Sequence, residues 1–291
     1  MGVFHEGERK VQSRAGVAGE ARSLGRGISS AIPSGAGPFL ATQRLAALAG
    51  IDNAGHVWAS LVMGDPGFIT APDGGTLRLA ARLAAADPLN EGLVEGRPLG
   101  ILVLDPERRR RIRLNGRAGA PTGGGIEVRI DEVFGNCPKY IQARVFEGEP
   151  ALDRDGDGRR SAALSLAQQR AIEQADTFFI ASVHGAAGAD ASHRGGQPGF
   201  VRVDGERRVR FPDYAGNNMF QTLGNLTADP RVGLLFLDFD TGTTLQLTGR
   251  ARILWSGPER AVEVEVDEVV EIEGKGPLGW RFLEYSPFNP R

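Results

Sequence analysis

Residues able to hold an anion crowd one stretch of this chain, ASHRGGQPGFVRVDGERRVRFPDYAGNNMFQTLGNLTADP, residues 191–230. His193 and Arg194 are followed by Gly195 and Gly196, then by Pro198 and Gly199. Glycines beside an arginine let backbone N–H groups and a guanidinium reach one anion together. Further on, the turn Pro212-Asp213-Tyr214-Ala215-Gly216 leads to Asn217, Asn218, Gln221, Thr222 and Asn225. Helical spacing over 214–226 puts Asn218, Gln221, Thr222 and Asn225 near one face and leaves Met219, Phe220, Leu223 and Leu226 to pack inward. The start of such a helix points free N–H groups at an anion. Arginine, amides, a hydroxyl and a helix start suit a phosphate ester with a polyhydroxy chain. The competing reading is that Asn and Gly here only make turns.

Other signals are thinner. In GNCPKYIQ, Lys139 and Tyr140 follow a strand and could reach a site, or could belong to an exposed proline turn. Cys137 has no nearby His or acid in sequence to activate it. The run Arg108 to Arg111 is flanked by Asp105 and Glu107 and reads as a solvated turn, with gripping a phosphorylated electron donor as its functional alternative. DRDGDGRRSAAL (153–164) starts like a calcium loop, with Asp153, Asp155, Asp157 and Gly158, but Leu164 stands where a bidentate Glu is needed. His5, His56, His184 and His193 show no metal spacing, so no metal is expected.

Elements must position these groups, and the chain repeats its elements. GILVLDPERRRRIRLNGRA (100–118) is echoed by GLLFLDFDTGTTLQLTGRA (233–251), and IEVRIDEVF (126–134) by VEVEVDEVV (262–270). A weaker echo pairs VWASLV (57–62) with FFIASV (178–183). A period this long marks a duplicated domain. We expect an irregular arm over 1–37, a first copy over 38–150 and a second over 151–291. Matching Ser60 to Ser182 and Asp105 to Asp238 implies about eleven extra residues in the second copy, inside the polar stretch. The matching interval of the first copy is mostly Ala, Leu and Gly, so one working site is expected. Strands are predicted at 56–63, 76–80, 99–105, 111–118 and 125–134, and at 176–183, 199–203, 207–211, 232–238, 245–254 and 261–272. Helices are predicted at 37–50, ending on Gly50, at 87–93 and at 164–175, the last with a Ser165–Gln168 capping box. Short strands, Gly-rich turns and few helices indicate a mainly β protein of two antiparallel barrels.

Bulk properties narrow the function classes. The chain has 291 residues, 34 basic and 36 acidic, with a net charge of −2, which provides no general pull toward nucleic acid. It has no apolar run long enough for a membrane helix, and one cysteine, Cys137. With no apolar segment near the start, a cytoplasmic protein is expected.

SHRGGQPGFVRV, FPDYAGNNMFQTLGNL and DPRVGLLFLDF followed by LTGRA resemble the pyridoxamine 5′-phosphate oxidase-related, FMN-binding split-barrel family. FHEGE (4–8), RLNGRA (113–118), FGNCPKYIQ (134–142) and RFLEYSPFNP (281–290) resemble its larger two-copy members. The resemblance implies two tandem six-stranded split barrels that pair as a pseudo-dimer within the chain, as a monomer or a homodimer. It implies FMN as cofactor and an oxidoreductase that meets a small-molecule substrate or electron donor, for which reduced nicotinamide is a candidate. It places His193, Arg194, Gly196, Pro212, Asp213, Tyr214, Asn217, Asn218, Gln221 and Thr222 at the cofactor, with Lys139 and Tyr140 reaching from the first copy. The Arg-Lys pair of the vitamin B6 oxidases is absent from the 217–222 segment, where Asn, Gln and Thr stand, which argues against that substrate. The alternative implied function is a non-catalytic module that holds flavin, haem or a deazaflavin.

Overall fold

The structure, a computed structural model, describes residues 3–120, 124–148 and 155–290. The N-terminal segment is not the irregular arm expected. It carries α1 (Glu6–Arg14) and α2 (Ala18–Gly25). A capping box starts α1: the His5 ring accepts the Gly7 N–H, and Glu8 reaches back to the His5 N–H. So polar a helix draws its stability from packing rather than from propensity.

The helix expected over 37–50 stops early, as α3 (Gly37–Ala41), and β1 (Leu45–Ile51) takes the remainder. The LAALAGI segment is buried along nearly its whole length and pairs on both edges. Such a run has no periodicity to separate strand from helix. There follow β2 (Val57–Met63), β3 (Ile69–Asp73), β4 (Thr76–Leu79), β5 (Pro98–Asp105), β6 (Arg110–Ala118) and β7 (Ile126–Gly135). The predicted 87–93 helix is a 3-10 turn, Pro88–Gly92, capped by Asp87. Next are β8 (Ala143–Phe146), β9 (Gly158–Ser161) and α4 (Leu166–Gln174), which has the expected Ser165–Gln168 capping box. The second half continues with β10 (Thr177–His184), β11 (Gly188–Gly195), β12 (Arg202–Asp204), β13 (Arg208–Pro212), α5 (Gln221–Ala228), β14 (Arg231–Leu237), β15 (Thr244–Ser256), β16 (Glu259–Ile272) and β17 (Trp280–Glu284).

Two antiparallel sheets of the same order result, β2-β1-β5-β6-β7-β4-β3 and β11-β10-β14-β15-β16-β13-β12. The fold is mainly β, a pair of split barrels. The first sheet has seven strands, one more than the six expected, the short hairpin strand β3; the second has eight, the equivalent β12 and also β9, which pairs with β16.

The sheet order corrects the alignment of the copies. β10 corresponds to β1, not to β2, so the VWASLV–FFIASV echo joins strands that are not equivalent. In register, Ala49 faces Gly100 and Ala181 faces Gly233. The intervals Ala49–Gly100 and Ala181–Gly233 differ by a single residue, so the eleven-residue insertion does not exist. The correct match aligns GDPGF (64–68) with GQPGF (196–200). It puts Leu61 and Val62 where the second copy has His193 and Arg194.

Each barrel has its own core, and a third core lies between them, built from β1, β2 and β5 on one side and β10, β11 and β14 on the other. Two equivalent glycines set this contact. A Cβ on Gly100 would lie 2.7 Å from the Ala189 carbonyl oxygen, and one on Gly233 would lie 2.7 Å from the Ala59 nitrogen. Each β5-type strand thus meets the partner copy's β2-type strand backbone to backbone, about a pseudo-two-fold axis.

Candidate functional site

A cavity opens where β6 of the first sheet faces β11, β13 and α5 of the second. It encloses about 690 Å³ of space, its mouth included. Of the residues expected at a cofactor, His193, Arg194, Pro212, Asp213, Tyr214, Asn217, Asn218, Gln221, Thr222 and Tyr140 line it. Two stand apart. The Lys139 ammonium lies 5.6 Å from the Phe288 ring, away from the lining. Gly196 sits behind the wall, donating to the Asp176 carbonyl and accepting from Gln142.

The helix expected over 214–226 begins only at Gln221, and Asn217 and Asn218 precede it. The approach is a tight loop in which Asn218 (φ 58°) and Phe220 (φ 62°) are left-handed. The Asn217 side chain accepts the Met219 N–H at 3.2 Å, an Asx-type turn that competes with helix. The unbonded N–H groups of the first turn of α5 therefore belong to Gln221, Thr222 and Leu223, all in the cavity wall. Asn225 faces elsewhere: it donates to Ser182 Oγ at 3.0 Å and bonds His5 Nε2.

Sequence reasoning missed the first copy's main contribution. Arg111 and Arg113 on β6 both enter the wall, with Asn136. Their signal was present: Arg111, Arg113 and Asn115 alternate with Ile112 and Leu114, the period of one strand face. Arg108 and Arg109 do occupy the turn, where they bond the Asp105 carboxylate and the Ile141 carbonyl. Arg111 does not belong to that turn. Its guanidinium donates to His193 Nδ1 at 3.0 Å and to the Cys137 carbonyl at 2.7 Å. Arg113 is buried, pairs with both oxygens of Asp190 at 3.0 and 3.1 Å, and bonds Ser192. Arg194 donates to Ser192 Oγ at 2.8 Å and lies 3.8 Å from Asp213, which also pairs with Arg260.

Three guanidiniums thus converge in a desolvated space. Burial, then the neighbouring Arg113 and Arg194, push Arg111 down to about 9. Burial likewise lowers Arg194, although Asp213 opposes the shift. His193 is held well below its ordinary value, by burial first and then by Arg111 and Arg194, so its ring is neutral. Arginine only donates, so Nδ1 is the acceptor and Nε2 carries the proton. That Nε2 is buried and has no partner, as are Nε of Arg111, Arg113 and Arg194 and Oγ1 of Thr222. Buried donors in native proteins are ordinarily satisfied. This set can receive an anion that offers several oxygen acceptors. At the mouth, the Tyr140 hydroxyl donates to the Ala215 carbonyl at 3.0 Å, and the Tyr140 and Tyr214 rings lie 5.1 Å apart.

The equivalent space on the other side of the pseudo-axis is filled. Gln246 replaces Arg113, and its amide bonds the Ala59 carbonyl, Ser60 Oγ and Asp87 at 2.9, 3.0 and 3.1 Å. Trp58 replaces Asp190, fully buried, with its indole N–H on Asp52 at 2.8 Å.

Residues 165–274 match the family model described as pyridoxamine 5′-phosphate oxidase. The match lies within the second copy. The match spans β10 to β16 and the loop-and-helix segment that walls the cavity, and it includes His193, Arg194 and Thr222. Solved structures similar to the chain include HupZ of Group A Streptococcus (13% identity, 35% of this chain and 89% of that one, TM-score 0.30). Another is HutZ, the haem storage protein of Vibrio cholerae (11% identity, 39% and 96%, TM-score 0.29). A third is an FAD-binding protein of Mesorhizobium loti (11% identity, 40% and 98%, TM-score 0.30). No curated protein matches the sequence. Among the described residues no helix is long and apolar enough to cross a membrane.

The remaining sequence signals do not join this site. Asp153 of the calcium-like loop lies outside the described residues. Asp155 accepts from Arg82 and from the Ala85 N–H, a hydrogen-bonding role within the fold.

Proposed function

We propose that the cavity binds FMN and that the protein is an FMN-dependent oxidoreductase. The observation that carries this reading is the ring of buried, unpartnered donors: Nε of Arg111 and Arg194, Thr222 Oγ1 and the first turn of α5. A dianionic phosphate monoester satisfies such donors and offsets the clustered positive charge. Arg111, Arg194 and Thr222 would hold the phosphate, and Asn217, Asn218 and Gln221 the polyhydroxy chain. The backbone of 212–216 and the rings of Tyr140 and Tyr214 would border the flavin ring. His193, neutral and protonated on Nε2, would act as a hydrogen-bond donor, since it carries no charge to give. The chemistry a bound flavin supplies is hydride or electron transfer at N5. A reduced nicotinamide is the proposed donor, and a small molecule the acceptor. The chain itself forms the pseudo-dimer that encloses the cofactor.

The test is the absorbance spectrum of the purified protein, with mass spectrometry of whatever copurifies. FMN at one per chain is expected. A colourless protein that takes up no flavin on titration would overturn the proposal. Reduction of the bound flavin by a reduced nicotinamide, followed by reoxidation, separates an enzyme from a module that only holds a flavin. Haem or a deazaflavin in the mass spectrum would support the holding module instead.

A further inference from the structure

A second cavity lies under α1, with Asp190 and Asn115 in its wall and about 980 Å³ of space, mouth included. Four carboxylates line it, Glu6, Glu8, Glu132 and Asp190, and Glu6 bonds the His184 ring at 2.9 Å. Glu8 and Asp190 are themselves buried. Asn115, 6% exposed, holds two of them together: its Nδ2 donates to Glu132 Oε2 and to Asp190 Oδ1, each at 3.3 Å. Flanking carboxylates fix which way the amide points, because its oxygen could not face them. Its Oδ1 is therefore a buried acceptor, and it has no partner.

The charges do not balance across this space. Arg113 neutralises Asp190 from the side of the first cavity. Glu8 accepts only a backbone N–H, from His5 at 2.8 Å, beside a longer contact of 3.4 Å to the His5 ring. Burial first, then the neighbouring carboxylates Glu132 and Asp190, push Glu8 up to about 8. The Arg9 guanidinium is engaged with the Phe4 carbonyl. The His5 ring is lowered, by burial and then by His184. Against the four carboxylates of this lining stands one guanidinium, Arg9, so a further positive group with several N–H donors would find acceptors here.

A metal ion fits less well. Among the described residues the only group of metal-ligand side chains that converges is His5, Glu6 and His184. There, Nδ1 of each ring already accepts a backbone N–H, from Gly7 and from Ala187, which leaves the outer nitrogen protonated. The carboxylates of Glu8, Glu132 and Asp190 do not converge as such a group, and the Asn115 amide stands between the last two.

We propose that the cavity under α1 binds a small organic cation bearing an ammonium or guanidinium group. The cation bonds Asn115 Oδ1 and the carboxylates of Glu8 and Glu132. Because Asp190 and Gln221 border this cavity while Arg113 and Gln221 border the first, the ligand is sensed at the anion site through the Asp190–Arg113 pair. The residues that hold the cation are its own, so it binds with the first cavity empty, and the coupling between the two sites is reciprocal.

Titration calorimetry on the full chain tests this, with agmatine as probe and N-butylurea as an uncharged near-isostere. Saturable agmatine binding is expected, with release of a proton near pH 7 as Glu8 ionises against the cation, and no binding of N-butylurea. Glu132→Gln, with an unchanged circular dichroism spectrum, should weaken agmatine at least about tenfold. Absence of saturable agmatine binding, equal binding of the two probes, or unaltered affinity in Glu132→Gln would each overturn the proposal. The comparison of probes on the parent protein stands even if the variant fails to fold.

Discussion

Two residues on opposite sides of Arg113 carry opposite electrostatic strain. Arg111 is a cation held in a desolvated place among other cations. Arg111→Met should therefore leave the melting temperature unchanged or raise it, while weakening FMN about 10- to 100-fold through loss of a charge-assisted contact. Flavin fluorescence titration and thermal melts on the same samples check both halves. Glu8 is the reverse case, a carboxyl kept protonated by burial, its folded pKa of about 8 above the ordinary carboxylate value. Between pH 4.5 and 8 the folded state holds a proton the unfolded chain has lost. Its contribution is thus fully present below that window and fades as pH rises through it. Glu8→Gln should flatten the fall in stability over this range, as read from urea midpoints at several pH values. A steeper fall in the variant would show the opposite linkage. At this scale the second-copy wall was legible because its chemistry is dense in sequence. The β6 arginines were masked by the turn beside them, and the pairing of Asn115 with Glu132 and Asp190 depends on strands that only the fold brings together.

At the scale of elements, the crossing of α1 and α5 decides whether both cavities keep their walls. The two helices touch at Gly7 and Gly224, where a Cβ on Gly224 would meet the backbone of Glu8. Gly224→Ala should destabilise the protein by about 1–3 kcal/mol, the usual cost of overpacking, and should raise amide exchange across residues 6–14. Exchange rates there equal to the parent's would show that α1 does not rest on this contact. Neither helix was fully readable from sequence. Propensity says little about α1, whose buried Val11 and Gln12 are held by tertiary contacts. The loop before α5 looked helical because the Asx turn at Asn217 and the left-handed Phe220 leave no trace in spacing. β1 and β2 could be exchanged in an alignment because both are almost wholly buried and largely aliphatic.

For the whole molecule, the stretch repeated at 100–118 and 233–251 supplies the glycines on which the two barrels meet. The third core crosses that junction, so the halves should melt as one. We expect a single transition with coincident tryptophan fluorescence and circular dichroism, and Gly233→Ala should lower its midpoint without splitting it. Two separable transitions would mean that the shared core contributes little coupling. The duplication was legible in the repeats, as the equal order of the two sheets shows. The eleven-residue insertion was an artefact of pairing the wrong strands, and the true difference between copies lies in side chains at matched positions.

That difference has a consequence for how the chain can vary. In a dimer of identical subunits every substitution is made twice, once in each pocket. Here Trp58, Gln246 and Asp87 have closed one pocket while Asp190, Arg113 and Thr222 line or border the other. Each half is released from serving both. A deep mutational survey should therefore be lopsided: the plugged side tolerating apolar exchange of similar volume and rejecting new polar groups, the open side doing the reverse. The fused pair has turned a symmetric vessel into one with a floor and a lid, free to be reshaped separately.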